Sequence, residues 1–425
     1  MNREIKRPRL FNACSLALVV TALTFAIRAN LLGTFGTEFG LTPTEIGQTA
    51  AAAFWGFTFA MFFGGPLCDF LGMGRMYLLA FIGHMVGIVL TIFATGYWSL
   101  FISTLLVGLA NGLIEWASYS MVSSMYPQEK AMKIIQWHIW FPAGIVIGGV
   151  VSYICTLFNT GWRFQILTMI PPILAYGAMF FRQTFPKSER VMQGVSNKEM
   201  VRECFRPLFI FMAGCMLLTA ATECGTNQWI AELLSTVGVP SILLLVFING
   251  IMTVGRANAR FVLKHLSPSS ILLISAALST VGLVGLGHAK GYAAFVPAGV
   301  FAAGVCFFWP TMISFVAENL PRTGPLGLSL MGGVGLLSIS SILPYFGQVY
   351  EWRLASQTVG ISDLATLREA LPGTSEALRW SEIKLEAGAQ TLQVVAVLPA
   401  LLTIAFGLLC WKGRKQTTKN EHATD

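Results

Sequence analysis

Long apolar runs separated by short polar breaks dominate this chain, and twelve of them approach or exceed the length of about 20 residues that crosses a bilayer as a helix. The pattern places them at 10–32, 44–67, 75–94, 98–121, 132–156, 162–181, 207–233, 239–263, 269–288, 291–317, 327–350 and 390–411. One longer polar stretch, Arg182 to Arg206, separates six runs from six and reads as a linker. A second, residues 351–389, precedes the last run. There Ser362-Asp363 leads into LATLREAL and Pro372-Gly373-Thr374-Ser375 leads into EALRWSEIKLEA, which predicts two short helices with capping residues at their starts. The second is placed to run into the last span, and the stretch as a whole reads as a surface cap rather than a lid.

Composition agrees with a polytopic, all-α membrane protein. Residues are 55% hydrophobic and 11% charged, with 31 Phe and a mean hydropathy of +0.67, whereas about a quarter of a soluble protein is charged. The net charge of +8 would suit nucleic acid if it formed a patch. The basic residues instead sit in small clusters at segment ends, so nucleic acid is excluded as a partner and the lipid bilayer takes its place. One set of loops holds only Arg163, Lys290, Arg353, Arg368, Arg379 and Lys384; the other set and the two tails hold the remaining basic residues, save Arg28 inside the first span. By the positive-inside rule both termini and the central linker face the cytoplasm, and 351–389 is exoplasmic, as expected of a bacterial inner (plasma) membrane protein. Arg3, Lys6, Arg7 and Arg9 precede a first run without a small-residue cleavage site, which predicts a retained helix rather than a signal peptide. The eight Cys show no paired spacing in any exposed loop, so no disulfide framework, metal site or cofactor is expected.

Between the second and third runs lies GGPLCDFLGMGR, Gly64 to Arg75. Gly64 and Gly65 permit close helix approach, Gly72 and Gly74 permit backbone angles a side chain would resist, and Asp69 can accept hydrogen bonds from a neighbouring helix N-terminus or a basic group. Such a turn can act as a latch. The spacing of Gly65, Asp69, Gly72 and Arg75 resembles the loop signature of the major facilitator superfamily, in the place that family carries it. Features also recur about 190 to 197 residues apart: Pro127 with Pro321, and Pro43 with Pro240. The resemblance implies two pseudo-symmetric six-helix bundles, 1–181 and 207–425, joined by the cytoplasmic linker 182–206, with a solute site between them near the midplane. The second copy of the signature, Gly255-Arg256-Ala-Asn-Ala-Arg260, has no acidic residue where Asp69 would fall, so any latch there is weaker.

Three charges fall near mid-span, where each costs about 2.5 to 3.5 kcal/mol on insertion scales and so needs a partner, a wet cavity or a task. They are Arg28, Glu115 and Glu223. Helical spacing extends each into a polar stripe: Thr21, Thr24 and Arg28; Asn111, Glu115 and Ser118; Thr219, Glu223, Thr226 and Asn227. The stripes predict a polar cavity. The plainer reading is that Arg28 and Glu115 pair to hold the first half together, and a pair that breaks on protonation is also a coupling device. His138, in QWHIWFPAGIVIGG, is a titratable group among aromatics that suits proton sharing and structural hydrogen bonding equally. His84 lacks a polar companion at helical spacing and reads as structural. Trp309 and Trp229 are candidate sugar platforms, with Trp229 better read as an interface residue.

GLANGLIEWASYSMVSSMYPQEK resembles the fourth helix of the fucose and glucose permease branch, and ATECGTNQWIAELL its seventh. By that resemblance Glu115 takes the proton-carrying role. The branch's first-helix aspartate is absent, and Arg28-Ala-Asn30 resembles instead the first-helix arginine of the organic-anion branch. The expected function is secondary transport by alternating access, monosaccharide:proton symport by a monomer, with a carboxylate or phosphorylated solute held by Arg28 as the alternative. A non-transporting membrane sensor or a polytopic transferase is the reading from other classes; no nucleotide loop, metal cluster or Ser/His/Asp arrangement supports an enzyme.

Overall fold

The computed structural model describes residues 5–186, 197–358, 367 and 374–421, and among them there is no strand. The first half comprises α1 (Arg7–Phe39), α2 (Pro43–Leu71), α3 (Met73–Ile92), α4 (Tyr97–Met125), α5 (Lys130–His138), α6 (Trp140–Leu157), α7 (Gly161–Leu167) and α8 (Ile170–Phe180). A short α9 (Asn197–Cys204) lies in the linker. The second half begins with α10 (Pro207–Ala220), which passes through a π-helical turn (Ala221–Gly225) into α11 (Thr226–Leu233). There follow α12 (Ser241–Ala257), α13 (Ala259–His265), α14 (Pro268–Leu286), α15 (Phe295–Val305), α16 (Phe308–Asn319), α17 (Gly324–Gln357), α18 (Ser375–Val395) and α19 (Val397–Glu421).

The starts and stops follow local chemistry. α1 ends at Gly40, whose left-handed φ of 64° lets its N–H reach back to Gly36. Two residues later Thr42 and Glu45 exchange backbone and side-chain hydrogen bonds at 2.8 and 3.2 Å, a capping box that starts α2. Gly72 separates α2 from α3 with φ of 81°, a conformation only glycine takes without cost. Thr374 caps α18 by accepting from the N–H of Ala377 at 3.2 Å.

Among the described residues, ten helices or joined helices are long and apolar enough to cross a membrane. The two expected spans not among them are broken. The sixth divides into α7 and α8 ahead of Pro171 and Pro172, and the eighth turns at Asn258 between α12 and α13. The fifth and tenth spans are long enough to cross the bilayer but are also interrupted, at Ile139 and at Cys306-Phe307, ahead of Pro142 and Pro310. In the fifth, sixth and tenth spans proline lacks the N–H and its ring displaces the carbonyl four residues earlier; the turn at Asn258 has no proline beside it. The stretch 351–389 contributes to spanning-length helices on both sides: α17 runs to Gln357, and α18 joins α19 in a segment of 37 residues from Ser375 to Trp411. The helix expected at LATLREAL lies outside the described residues.

Inside the first half α2 and α4 meet backbone to backbone, since a Cβ on Gly108 would coincide with the backbone of Ala53. The halves meet through α2 with α17, α6 with α12 and α1 with α11. At the end of the bundle opposite the chain termini this contact is equally intimate. A Cβ on Gly47 would lie 2.6 Å from the Leu343 carbonyl oxygen and 2.8 Å from the Cα of Pro344, and one on Gly347 would strike the Pro43 carbonyl. Beside them the Glu232 carboxylate rests on α1 at Gly33 and pairs with Lys384 of α18 at 3.3 Å.

Candidate solute site

In the first half Glu115 of α4 is paired with His138 of α5: Nε2 lies 3.5 Å from Oε1. Its side chain is 15% exposed and that of His138 32%, so the pair is partly accessible rather than sealed in the core. His138 is held at the end of α5 next to Trp137, which is fully buried and donates its indole N–H to the Cys14 carbonyl of α1 at 3.1 Å.

Arg28 does not meet Glu115, which overturns the expected pair. Asn111 of α4 donates to Thr24 of α1 at 3.0 Å, which fixes the register of these antiparallel helices. From that contact Arg28 lies one turn towards one end of the bundle and Glu115 one turn towards the other, each about 6 Å along the axis, so their Cα atoms are separated by about 12 Å in depth. Arg28 is 93% buried by its 7% exposure, and its Nη1 has no hydrogen-bond partner.

Asn111, expected as a solute or coupling residue, is fully engaged within the first half. Its Nδ2 donates to Thr24, so its Oδ1, 2.8 Å from His84 Nε2, must accept. His84 therefore carries its proton on Nε2, and Nδ1 accepts from the Tyr176 hydroxyl at 2.9 Å. The chain continues through the Thr24 hydroxyl to the Thr21 carbonyl at 2.7 Å. His84 is thus satisfied by residues distant in sequence, and the run ties α8, α3, α4 and α1 together in one direction.

The second half builds a different arrangement. Glu223 sits in the π-helical turn, and Arg256 of α12 donates to its Oε1 at 2.8 Å and to the Cys306 carbonyl at 2.9 Å. Both side chains are nearly buried, at 7% and 13% exposure. Arg28 is therefore not the one basic residue inside a span. Arg256, which the sequence assigned to a degenerate loop signature, is a helical residue and the partner of Glu223. Asn249 of α12 donates to Asn227 Oδ1 at 3.1 Å. Among the described residues of the π turn, α11 and α12, four buried side-chain oxygens lack a hydrogen-bond partner: Glu223 Oε2, Thr226 Oγ1, Gln228 Oε1 and Asn249 Oδ1.

The tryptophans are packed. The Trp309 ring lies against α17 at Gly335, where a Cβ would meet it at 2.8 Å. Trp229 is fully buried and donates to the Leu343 carbonyl at 3.2 Å, so it is neither an interface residue nor a sugar platform here. Arg75 is exposed, while the side chains of Gly65 and Asp69 lie outside the described residues. Sequence reasoning missed Arg256, Gln228 and Asn249. Pro310 held a signal for the first, because it predicts a free carbonyl at Cys306 that a buried donor must satisfy. No group of three or more potential metal ligands occurs among the described residues.

Among curated proteins, the D-xylose-proton symporter-like 2 protein of Arabidopsis thaliana is 23% identical over 199 residues, 46% of this chain and 39% of that protein. The putative niacin/nicotinamide transporter NiaP of Bacillus subtilis is 19% identical over 44% of this chain and 46% of that protein. The matched region spans less than half the length of these relatives. Among solved structures, a bacterial homolog of the human lysosomal transporter Spinster superposes with a TM-score of 0.77 at 13% identity, covering 95% of this chain and 96% of that one. A D-xylose-proton symporter superposes at 0.73 and 14% identity, covering 93% and 96%. The model of the Major Facilitator Superfamily matches residues 14–342, and the chain belongs to that superfamily as a multi-pass membrane transporter.

Proposed function

We propose that this transporter carries a small polyhydroxylated solute of monosaccharide class by proton symport and alternating access, as a monomer in a bacterial inner membrane. The observation that carries the solute class is the set of four unpartnered acceptor oxygens on α11, α12 and the π turn. A buried acceptor left unpaired costs about 1 to 3 kcal/mol, and a solute with several hydroxyl donors relieves several such costs at once. The names of relatives support the same class, a D-xylose-proton symporter-like protein and a myo-inositol transporter of Candida albicans among them. Glu115 with His138 is the proton-carrying pair, and the halves 1–181 and 207–425 are the moving bodies. The test is counterflow in proteoliposomes with D-xylose, D-glucose, myo-inositol and D-gluconate. Exchange of a neutral member is expected; exchange of none of the three neutral solutes would reject the reading.

A second reading rests on Arg28, whose buried guanidinium has an Nη1 without a partner. A carboxylate or phosphate would satisfy it through paired, charge-assisted bonds that lysine cannot reproduce. On the neutral-solute reading Arg28→Lys exchanges a neutral sugar with near-normal affinity. Loss of all solute binding in that variant, with D-gluconate the preferred wild-type solute, would establish the anion reading instead.

The unequal division of basic residues supports cytoplasmic termini and an exoplasmic position for the end where Gly47 meets α17. A membrane-impermeant thiol reagent applied from outside is expected to label a cysteine placed at Gly373 and to miss one at Gly194. The opposite labelling would invert the topology.

A further inference from the structure

We propose that Arg256 is a positioning residue of the solute site: it anchors Oε1 of Glu223 and leaves Oε2 as the acceptor for a solute hydroxyl. The hydroxyl contact rests on the solute reading above, while the anchoring of Glu223 stands apart from it. Two irregularities in two different spans meet at this guanidinium. In the tenth span Pro310 has no N–H and its ring displaces the carbonyl four residues earlier, which is that of Cys306. The helix stops at Val305 and restarts at Phe308, and the freed carbonyl accepts Arg256 Nε at 2.9 Å. In the seventh span the π-helical turn Ala221–Gly225 carries Glu223, and Arg256 Nη2 binds it at 2.8 Å. Single-turn π segments inside α-helices are rare and recur at functional sites.

The restarted helix adds a third element. Its first N–H groups have no intrahelical acceptor, and that of Trp309 is directed to the Glu223 carboxylate, whose Oε2 has no hydrogen-bond partner. A half-helix N-terminus favours negative charge in front of it. The guanidinium fork is what makes the arrangement specific, since one nitrogen is committed to the backbone of α15–α16 and another to the carboxylate. Lysine keeps the charge but lacks the rigid fork that holds both acceptors. Oε2 is thereby held buried and unpaired, an expensive state for an acceptor with no further partner. A hydroxyl donor from the solute completes it.

Two measurements test this, one needing no solute. Infrared difference spectra of wild type against Glu223→Gln isolate the Glu223 carboxyl band. The same subtraction in an Arg256→Gln background is expected to show that band moved, and an unmoved band would overturn the anchoring. The second is exchange of D-xylose, D-glucose and myo-inositol by Arg256→Lys. The half-saturation concentration is expected to rise about tenfold, the effect of weakening one hydrogen bond to a charged group, with maximal exchange per folded transporter little changed. Adding Glu223→Gln to Arg256→Gln should cost little more affinity than Arg256→Gln alone, because the two residues act through one contact. A fall in protein amount with unaltered half-saturation would reduce Arg256 to a structural role and reject the proposal. A moved band with no exchange of any neutral solute by wild type would reject the solute reading, and the hydroxyl contact with it, while the anchoring of Glu223 stands.

Discussion

Replacing Glu115 with glutamine is expected to abolish solute accumulation driven by a proton gradient while leaving exchange across the membrane intact. The carboxyl has one charged or titratable partner within ion-pair reach among the described residues, His138 at 3.5 Å, and Arg28 is a full helical turn on the other side of the Thr24–Asn111 contact. On the proton-symport reading proposed above, the coupling proton is shared between α4 and α5 of the same half, and no making and breaking of an arginine pair is involved. Glutamine keeps the shape and hydrogen-bonding capacity of the protonated acid but cannot release a proton. One unit of pH corresponds to about 1.4 kcal/mol, or tenfold accumulation for a single coupled proton. In wild type that ratio should approach its limit; in Glu115→Gln it should fall to one, with counterflow in the same vesicles within a few fold of wild type. Undiminished accumulation would move the coupling to His138 or Glu223.

The apolar runs were legible because the bilayer imposes a length and a composition that little else imitates. Their interruptions were less so. Pro142 and Pro310 stand in plain view, yet a proline within an apolar run does not say whether the helix bends, stops or continues, and here α5 and α15 stop. Candidate charges were visible for the same reason as the runs, since a carboxylate among Leu and Phe is conspicuous. Their partners were not. Whether Arg28 reaches Glu115 depends on the relative depth of two helices, which the Asn111–Thr24 contact fixes and no local pattern reveals. Arg256 was hidden differently: it falls inside the run 239–263, but the likeness of Gly255 to Arg260 to a cytoplasmic loop signature gave it a loop role, whereas in α12 it donates to Glu223 of the seventh span. His84 had no polar neighbour along its own helix because its partners, Asn111 and Tyr176, stand on two others.

Introducing alanine at both Gly47 and Gly347 is expected to hold the bundle open at the end opposite the termini and to stop the transport cycle. At these positions α2 and α17 meet through backbone atoms, and a methyl group at Gly47 would stand 2.6 Å from the Leu343 carbonyl oxygen. Neither contact belongs to the interior of one half: α2 is packed on α4 within the first, so α2 has no room to retreat except by separating from α17. Overpacking of this kind costs about 1 to 3 kcal/mol, which shifts a two-state equilibrium by roughly 5- to 150-fold. Alanine is also the better helix former, so the substitutions should not melt either helix, and the effect falls on the distance between halves rather than on folding. Gly214→Ala and Gly250→Ala, where an added Cβ would meet nothing within 4 Å, serve as controls expected to transport normally. Spin labels at Thr37 and Ser356, both exposed at that end, read the result as a distance distribution. A longer distance together with lost exchange is the expected outcome. An unchanged distribution with normal exchange would mean that the two backbones separate enough in the resting protein to admit a methyl group, and that closure of this end depends instead on the Lys384–Glu232 pair against Gly33.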